Sequence, residues 1–166
     1  MKTLTKLEMD LLGLLEEDAS LTDEEMAMML NSDAESVKKT RESLESDNAI
    51  VKYIAVVNRE DLDDNKVEAM IELKVTPQRD LGYDDIAKRI YRYNEIKDVY
   101  LMAGGYDLAV RMESDNIKNI SKFVFEKLAV IDGVTSTQTV FIMRKYKENG
   151  VVLVSEEKED RLVVSP

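Results

Sequence analysis

A Gly-Gly-Tyr-Asp segment between two apolar runs contains the residue types of this chain that are best suited to binding a small molecule. The four residues are Gly104, Gly105, Tyr106 and Asp107. Adjacent glycines allow the positive φ angles of a tight hairpin, and they also let a ligand approach the backbone closely. The segment is therefore interpreted either as a hairpin turn or as a binding loop.

Histidine and cysteine are both missing from the 166 residues, which excludes much of enzyme chemistry. Without cysteine the chain has no thiolate nucleophile, no disulfide and no cysteine-ligated zinc site. Without histidine it lacks a catalytic triad, a histidine proton shuttle and most transition-metal sites. We therefore expect a protein that is not an enzyme and that uses neither a metal nor a cofactor.

The composition is that of a soluble protein with a sizeable core, since 44% of the residues are hydrophobic and 34% are charged. No apolar run reaches the roughly 18 residues of a membrane span, and the N-terminal sequence does not resemble a signal peptide. We therefore expect a cytoplasmic protein without membrane contact. The formal net charge of -11 argues against a broad phosphate-binding surface.

Apolar residues in the first thirty positions follow a helical period. Thr22 with Glu25 forms a capping box that predicts a short second helix through Leu30. Asn31 tolerates the left-handed conformation that ends a helix. The first helix is predicted from five leucines on one face: Leu4, Leu7, Leu11, Leu14 and Leu15.

A third helix is predicted from a second capping box, Ser32 with Glu35, to about Asp47. Val37 and Leu44 are seven residues apart and share its apolar face. Three short helices, the last two joined by a short turn, outline a helix-turn-helix. A three-helix packing unit without DNA binding would show the same pattern, so the pattern alone leaves both interpretations open.

From residue 50 the apolar period changes to two, which predicts strands. Residues 50–57 are predicted as a connecting strand, and a polar linker follows to residue 65. The later elements form a β-α-β-β-α-β order, which predicts a ferredoxin-like fold with an antiparallel sheet and both helices on one face. They are a strand at 67–75, a helix at 83–93, strands at 99–103 and 108–112, a helix through 117–128 capped by Ser114 or Asp115, and a strand at 135–146.

Apolar residues on the second face of the predicted sheet indicate a partner. They are Met70, Tyr100, Met102, Phe141 and Met143. We expect this face to bind a second copy of the chain about a twofold axis. The alternative is that the tail, residues 148–166, folds back over it. The tail itself is interpreted as a terminal hairpin, a swapped arm or a partly disordered segment.

Three segments resemble those of the Lrp/AsnC, or feast/famine, transcriptional regulators. Residues 4–20, LTKLEMDLLGLLEEDAS, are similar to the family's first helix. Residues 94–112, NEIKDVYLMAGGYDLAVRM, contain its Gly-x-Tyr-Asp-Leu turn. Residues 123–143, FVFEKLAVIDGVTSTQTVFIM, contain its Gly-Val turn and the threonine of its last strand. The resemblance extends over about residues 4–147.

This resemblance implies an α+β chain with a winged helix-turn-helix DNA-binding domain at residues 1–49 and a connecting strand and linker at 50–65. It also implies a ferredoxin-like sensor domain of the RAM type at 66–147, followed by the tail at 148–166. Members of the family bind double-stranded DNA through the third helix and sense amino acids or related metabolites at subunit interfaces. They form homodimers that often build tetramers or octamers.

In the light of this resemblance, the glycine pair is expected both to turn the chain and to leave room for an amino-acid-like effector. Free backbone N–H groups in the turn suit the carboxylate of such an effector, and Asp107 suits its ammonium group. The expected ligand contacts are Gly104, Gly105, Tyr106 and Asp107. The alternative is that Asp107 only caps the turn, as aspartates in turns often do.

The predicted DNA-binding helix departs from the family pattern, because Arg41 stands where isoleucine or valine is common. Residues 1–58 carry six basic and thirteen acidic side chains, an unusual balance for a DNA-binding surface. Binding is therefore expected to be of modest affinity and strongly salt-dependent. The expected DNA contacts are Ser32, Ser36, Lys38, Lys39 and Arg41.

Three functions stay open at this point. The first is a DNA-binding regulator, and the second is a sensing or protein-interaction module whose DNA-binding domain is weak or vestigial. The third is an enzyme, since some relatives of this architecture decarboxylate tetrapyrroles, and the missing histidine argues against it.

Overall fold

Two compact units make up this protein. One contains the residues up to Val57 together with Lys147–Val152, and the other contains Asn58–Tyr146 and the residues from Leu153 onward. No helix formed by the described residues has the length and apolar content that a membrane span requires. The structure, a computed structural model, describes residues 3–59, 62, 66–77 and 82–154.

Three helices form most of the first unit: α1 at Lys6–Glu17, α2 at Asp23–Met29 and α3 at Ala34–Ser46. Amphipathic helices bury their apolar stripes against one another, and here the stripes of α2 and α3 meet across the turn between them. The three helices predicted from the apolar period are thus present. Their buried core consists of Leu11, Met26, Ala27, Val37 and Leu44.

Side-chain caps set the first residues of α1 and α2. Thr5 and Glu8 form a reciprocal capping box on α1. The box predicted for Thr22 and Glu25 is present on α2. Each box satisfies backbone N–H groups that the first helical turn leaves without an intrahelical partner.

The capping box predicted for α3 at Ser32 is wrong. Asp33 is the N-cap, and its carboxylate accepts a 2.8 Å hydrogen bond from the Ser36 N–H. Ser32 belongs to the turn, where its N–H donates to the Ala27 carbonyl at 2.9 Å, directly after Asn31 adopts a φ of 50°. Because the backbone of Ser32 closes α2, the cap of α3 falls on the next residue.

No strand occurs within residues 3–59, which corrects the connecting strand predicted at 50–57 and the wing implied for the DNA-binding domain. A strand needs a neighbouring backbone for its hydrogen bonds, and residues 51–59 pair with no described strand. The side chains of Val51 and Ile54 are 82% and 65% exposed. The alternating pattern here therefore marks a segment that has no partner strand among the described residues of a single chain.

A four-stranded antiparallel sheet with helices packed on one face forms the second unit. The strand order β2-β3-β1-β4 places the first strand between the third and the last. The predicted ferredoxin-like order is confirmed. Its elements are β1 at Val67–Val75, α4 at Tyr83–Ile90, β2 at Ile96–Leu101, β3 at Leu108–Ser114, α5 at Ile117–Phe123, a π-helical turn at Val124–Leu128 and β4 at Val134–Ile142.

Several element ends differ from the prediction by a few residues. Helix α4 ends at Ile90 and β4 ends at Ile142, earlier than expected. Helix α5 is capped by Asn116, whose side chain accepts a 2.9 Å hydrogen bond from the Asn119 N–H, and not by Ser114 or Asp115. Local side-chain hydrogen bonds of this kind compete among neighbouring polar residues, so the sequence alone left the choice open.

A short hairpin follows the sheet, with β5 at Lys147–Glu148 and β6 at Val151–Val152. Asn149 and Gly150, with φ angles of 46° and 83°, form its turn, as two-residue hairpins require. The hairpin interpretation of the tail thus applies to its first residues. The rest of the tail, from residue 155, lies outside the described residues.

Alternate side chains of β1 build the core of the second unit. They point to the helix side of the sheet, where they contact the apolar faces of α4 and α5. Successive strand residues point to opposite faces, so this burial also fixes which β1 residues lie on the outer face, opposite the helices. The buried set from these three elements includes Ala69, Ile71, Leu73, Val75, Ile86, Ile90 and Ile120.

The residues on the outer face of the sheet differ in part from those predicted. Met70 and Tyr100 lie on it as expected. Phe141 pairs with Ala69 and packs on the core, so its placement on the outer face is wrong. Val140, opposite Met70, takes its place and is 46% exposed. The side of each β4 residue depends on its register against β1, which β4 alone does not reveal.

The centre of the outer face is charged and not apolar. Arg111 forms ion pairs with Asp98 and, at 3.0 Å, with Glu68. Burial alone would lower the pKa of Arg111, but hydrogen bonds to Asp98 and Glu68 outweigh it and raise the pKa on balance. Met102 and Met143, also predicted for this face, are exposed just beyond the ends of β2 and β4.

The corrected cap of α3 gives a stability prediction. We expect Asp33→Ala to lower the melting temperature of the helical unit, because the Ser36 N–H loses its partner. Ser32→Ala, the matched control one residue earlier, should leave the melting temperature unchanged, since only the backbone of Ser32 is used in the turn. Circular dichroism melts of both variants measure this, and the reverse ranking would restore the original assignment.

Candidate functional site

The predicted binding segment lies in the loop between β2 and β3, at one end of the sheet. The Met102 N–H donates to the Asp107 carbonyl at 2.8 Å, which closes the loop, and the Asp107 N–H donates to the Leu73 carbonyl at 2.9 Å. The loop is therefore joined to the central strand β1 as well as to its own two strands.

The Asp107 carboxylate holds the loop against the end of β1. It accepts a 2.8 Å hydrogen bond from the Val75 N–H and lies 3.2 Å from the Lys74 ammonium. Val75 extends past the last β1–β3 pair, Leu73 with Leu108, so its N–H has no partner in β3 and uses the aspartate. The Val75 hydrogen bond, with a further contribution from Lys74, holds the pKa of Asp107 below its usual value.

The two glycines do not have the backbone geometry expected of a tight hairpin. Neither Gly104 nor Gly105 has a positive φ, because a loop that spans Met102 to Asp107 does not need a two-residue turn. A Cβ atom added at either glycine would meet no atom within 4 Å. Open space thus lies beside the exposed backbone of both residues.

Tyr106 extends over the outer face of the sheet. Its hydroxyl donates a 2.8 Å hydrogen bond to the Gln138 side chain on β4, two strands away from β3. Gln138 pairs with Glu72, whose side chain points away from the helices. The loop, Lys74 and Gln138 thus lie together. Sequence analysis missed both residues, because the end of β1 beside β3 brings Lys74 to the loop and the register of β4 on β1 brings Gln138 there.

A separate depression of about 570 Å³ lies on the helix side of the same unit. Arg89 and Asp132 form a 3.8 Å ion pair at its border. The depression is widely open to solvent and includes no residue of the Gly-Gly-Tyr-Asp loop. The geometry therefore separates it from the predicted effector site.

In the first unit, the lysines predicted to contact DNA lie on the exposed side of α3. Lys38 and Lys39 are both exposed. Lys39 forms a 2.6 Å ion pair with Glu35, one turn earlier on the same exposed side. Ser32 and Ser36 are half-buried at the start of the helix. The outward surface of α3 therefore carries charges of both signs.

Arg41 lies apart from these lysines, in the seam between α2 and α3. Its guanidinium forms a 2.8 Å ion pair with Asp23 and lies 4.0 Å from Glu45. The hydrogen bond to Asp23 raises the pKa of Arg41. The arginine side chain is 31% exposed, compared with 70% for Lys39.

The described residues contain no group of three acidic side chains arranged to hold a metal ion. The chemistry that the two regions offer is hydrogen bonding and charge pairing. The loop between β2 and β3 offers backbone and a tyrosine beside open space, and α3 offers an exposed charged surface.

Comparison with known proteins places this chain in a family. The model of the Lrp/AsnC ligand binding domain matches residues 68–152. The uncharacterized HTH-type transcriptional regulator YugG of Bacillus subtilis is 39% identical over 98% of this chain and 99% of its own length. The HTH-type transcriptional regulator FL11 of Pyrococcus furiosus is 33% identical over 69% of this chain and 70% of its own.

Solved structures share the fold. A transcriptional regulator of Neisseria meningitidis, solved as a complex with L-methionine, has a TM-score of 0.70 at 21% identity and covers 88% of this chain and 94% of its own. AsnC of Escherichia coli has a TM-score of 0.67 at 18% identity, with coverage of 89% and 97%. The chain belongs to the Lrp/AsnC family of transcriptional regulators.

The geometry at Asp107 gives a pH prediction. Its pKa is lowered on folding, so its contribution to stability is present above the unfolded value of about 3.8 and is lost as the pH falls through the folded value. Asp107→Asn should therefore be less stable than the parent at pH 7, with the difference shrinking below about pH 4.

Melting temperatures between pH 2.5 and pH 7 measure this difference. Asp115→Asn is the control, because Asp115 is exposed and carries the same charge. A constant difference between parent and Asp107→Asn across the whole pH range would contradict the role given to the carboxylate.

Proposed function

We propose that this chain is a sequence-specific DNA-binding transcriptional regulator that responds to an amino acid or a related small metabolite. The observation that carries the proposal is the combination, in one chain, of an α2-turn-α3 unit with exposed lysines and a ligand-binding domain whose glycine loop borders open space. The similarity to YugG extends over both units, which supports the same combination.

DNA binding is assigned to the exposed side of α3 and to the turn before it. Lys38 and Lys39 would contact phosphates, and Ser32 and Ser36, at the start of the helix, would contact phosphates or base edges. The excess of acidic over basic residues in positions 1–58 repels DNA at long range. Affinity would accordingly be modest and would fall steeply with salt.

The effector site is assigned to the loop between β2 and β3. The backbone N–H groups near Gly104 and Gly105 suit a carboxylate, and the missing side chains leave room for it. Tyr106 would form one wall of the site. Asp107 is assigned to holding the loop, since both of its oxygens already have partners in Val75 and Lys74. The Neisseria regulator with L-methionine supports an amino acid as the effector class.

A homodimer is proposed through the outer face of the sheet. Met70, Tyr100 and Val140 lie on this face beside the ion pairs of Arg111, and Tyr100 and Val140 are exposed. Exposed apolar side chains grouped on one face mark a surface that binds a partner. A second copy would place the loop between β2 and β3 near a subunit interface. Assembly of dimers into tetramers or octamers belongs to the same proposal.

A second candidate function is a metabolite-sensing or protein-interaction module without strong DNA binding. The acidic balance of the helical unit favours it, as does the pairing of Arg41 with Asp23. The proposed regulator would have no catalytic role and would act where the DNA is, in the cytoplasm.

The DNA-binding proposal is tested on the exposed lysines of α3. Lys38→Glu together with Lys39→Glu should abolish the gel shift with the chain's own upstream region at low salt, because two phosphate contacts become repulsive. Lys118→Glu together with Lys122→Glu is the matched control, since it makes the same charge change on α5. If the parent chain gives no shift at low salt while its helices are folded, the second candidate function is favoured.

The effector proposal is tested on the glycines. Gly105→Val should preserve the melting temperature, because its φ is not positive and its Cβ has room. It should weaken amino-acid binding in calorimetry by about tenfold or more, the effect of a steric conflict of 1–3 kcal/mol.

Gly13→Val, in α1, is the control, because its Cβ also has room. Light scattering with and without the amino acid reports the change in mass. No heat and no change of mass with any amino acid of a complete panel would remove the sensor proposal.

A further inference from the structure

Four polar side chains link α2, α3 and the segment after α3. Asp23 at the start of α2 pairs with Arg41 in the middle of α3 at 2.8 Å. Arg41 also lies 4.0 Å from Glu45, one turn later on α3. The Glu45 carboxylate accepts a 2.8 Å hydrogen bond from the hydroxyl of Tyr53, which lies in the segment that follows the helix. The four residues form a continuous chain of polar contacts.

Helical spacing explains why Arg41 points to this seam and not to the outside. Val37, Arg41 and Leu44 lie at i, i+4 and i+7, so the arginine shares the stripe that packs on α2. Val37 and Leu44 are fully buried in the core of the unit. The exposed lysines lie on another side of the helix. A side chain anchored on the packing stripe is poorly placed to reach DNA.

Burial makes the pair of Asp23 and Arg41 important for the helix geometry. The side chain of Asp23 is 16% exposed, and its Oδ1 atom, like the Arg41 Nε, is buried without a hydrogen-bond partner among the described residues. Removing Arg41 would leave the charge of Asp23 mostly buried and without this partner, and removing Asp23 would leave Arg41 with the more distant Glu45, at 4.0 Å. Either loss costs more than the loss of an exposed ion pair. The relative position of α2 and α3 thus depends on both residues.

We propose that Arg41 is a positioning residue, which fixes α3 on α2 through Asp23 and holds the start of the following segment on α3 through Glu45 and Tyr53, and that it does not contact DNA. This inference rests on the proposed DNA-binding function. It replaces the DNA contact expected for Arg41 from the sequence with an indirect role.

The salt dependence of DNA binding separates the two roles. A residue that contacts a phosphate contributes about one unit to the slope of log K against log salt, and a positioning residue contributes nothing. We expect Arg41→Gln to weaken binding about tenfold at all salt concentrations and to leave the slope unchanged. Lys38→Gln, a phosphate contact in the proposal, should make the slope shallower by about one.

Charge reversal adds a test that includes a readout without DNA. Arg41→Asp and Asp23→Arg should each lower the melting temperature and weaken DNA binding, and the double variant should recover a large part of both losses. Glu24→Arg is the matched control. Glu24 also lies in the first turn of α2, so an arginine there carries the same penalty from the helix dipole as an arginine at position 23. Combining it with Arg41→Asp should restore neither property.

The outcomes distinguish the inference from the function on which it rests. Recovery of the melting temperature without recovery of DNA binding, or a shallower slope in Arg41→Gln, would show that Arg41 contacts DNA and would overturn the inference. Single variants with unchanged melting temperatures would overturn it as well. Absence of binding by the parent chain at low salt would instead overturn the DNA-binding function, and the melting temperatures of the charge-reversal variants would then decide the positioning role.

Discussion

The second unit depends on the burial of alternate side chains of β1 between its neighbouring strands and the two helices. Ile71 and Leu73 are fully buried on the helix side, and strand geometry then requires Glu72 and Lys74 to face outward. The outward row supplies the partners of the loop between β2 and β3, because Lys74 contacts Asp107. The position of the loop between β2 and β3 is thus a consequence of core packing.

In the first unit, too, burial of apolar residues decides which side chains face outward, here with the period of a helix. Burial of Val37 and Leu44 orients α3, which leaves Lys38 and Lys39 outside and draws Arg41 into the seam with α2. Only one residue separates Lys39 from Arg41 in the sequence, yet the ion pair of Lys39 is at the surface and that of Arg41 is half-buried. Basic character alone therefore says little about which side chains of a helix can reach a ligand.

Local signals in the sequence predicted the three helices of the first unit and the order of the elements in the second. These signals each act over a few residues, so they can be recognised without knowledge of the fold. Examples are the capping box at Thr22, the left-handed conformation of Asn31 and the runs in which apolar residues alternate with polar ones. What could not be predicted depends on pairing between distant segments. The side of Phe141 follows from the register of β4 on β1, and the partners of Asp107 follow from the end of β1. The strand expected at 50–57 has no described strand to pair with, which a pattern of apolar residues does not reveal.

The strand order of the sheet has a consequence for how the chain reaches its native state. The central strand β1 is synthesised first, but one of its two neighbours, β4, comes last among the four strands. Contacts between segments so far apart in the sequence close slowly, because the loop entropy is lost before the contacts compensate for it. A nascent chain would carry one open edge of β1 from the synthesis of Val75 until β4 begins at Val134. This unit would therefore be most prone to aggregation just before β4 emerges from the ribosome.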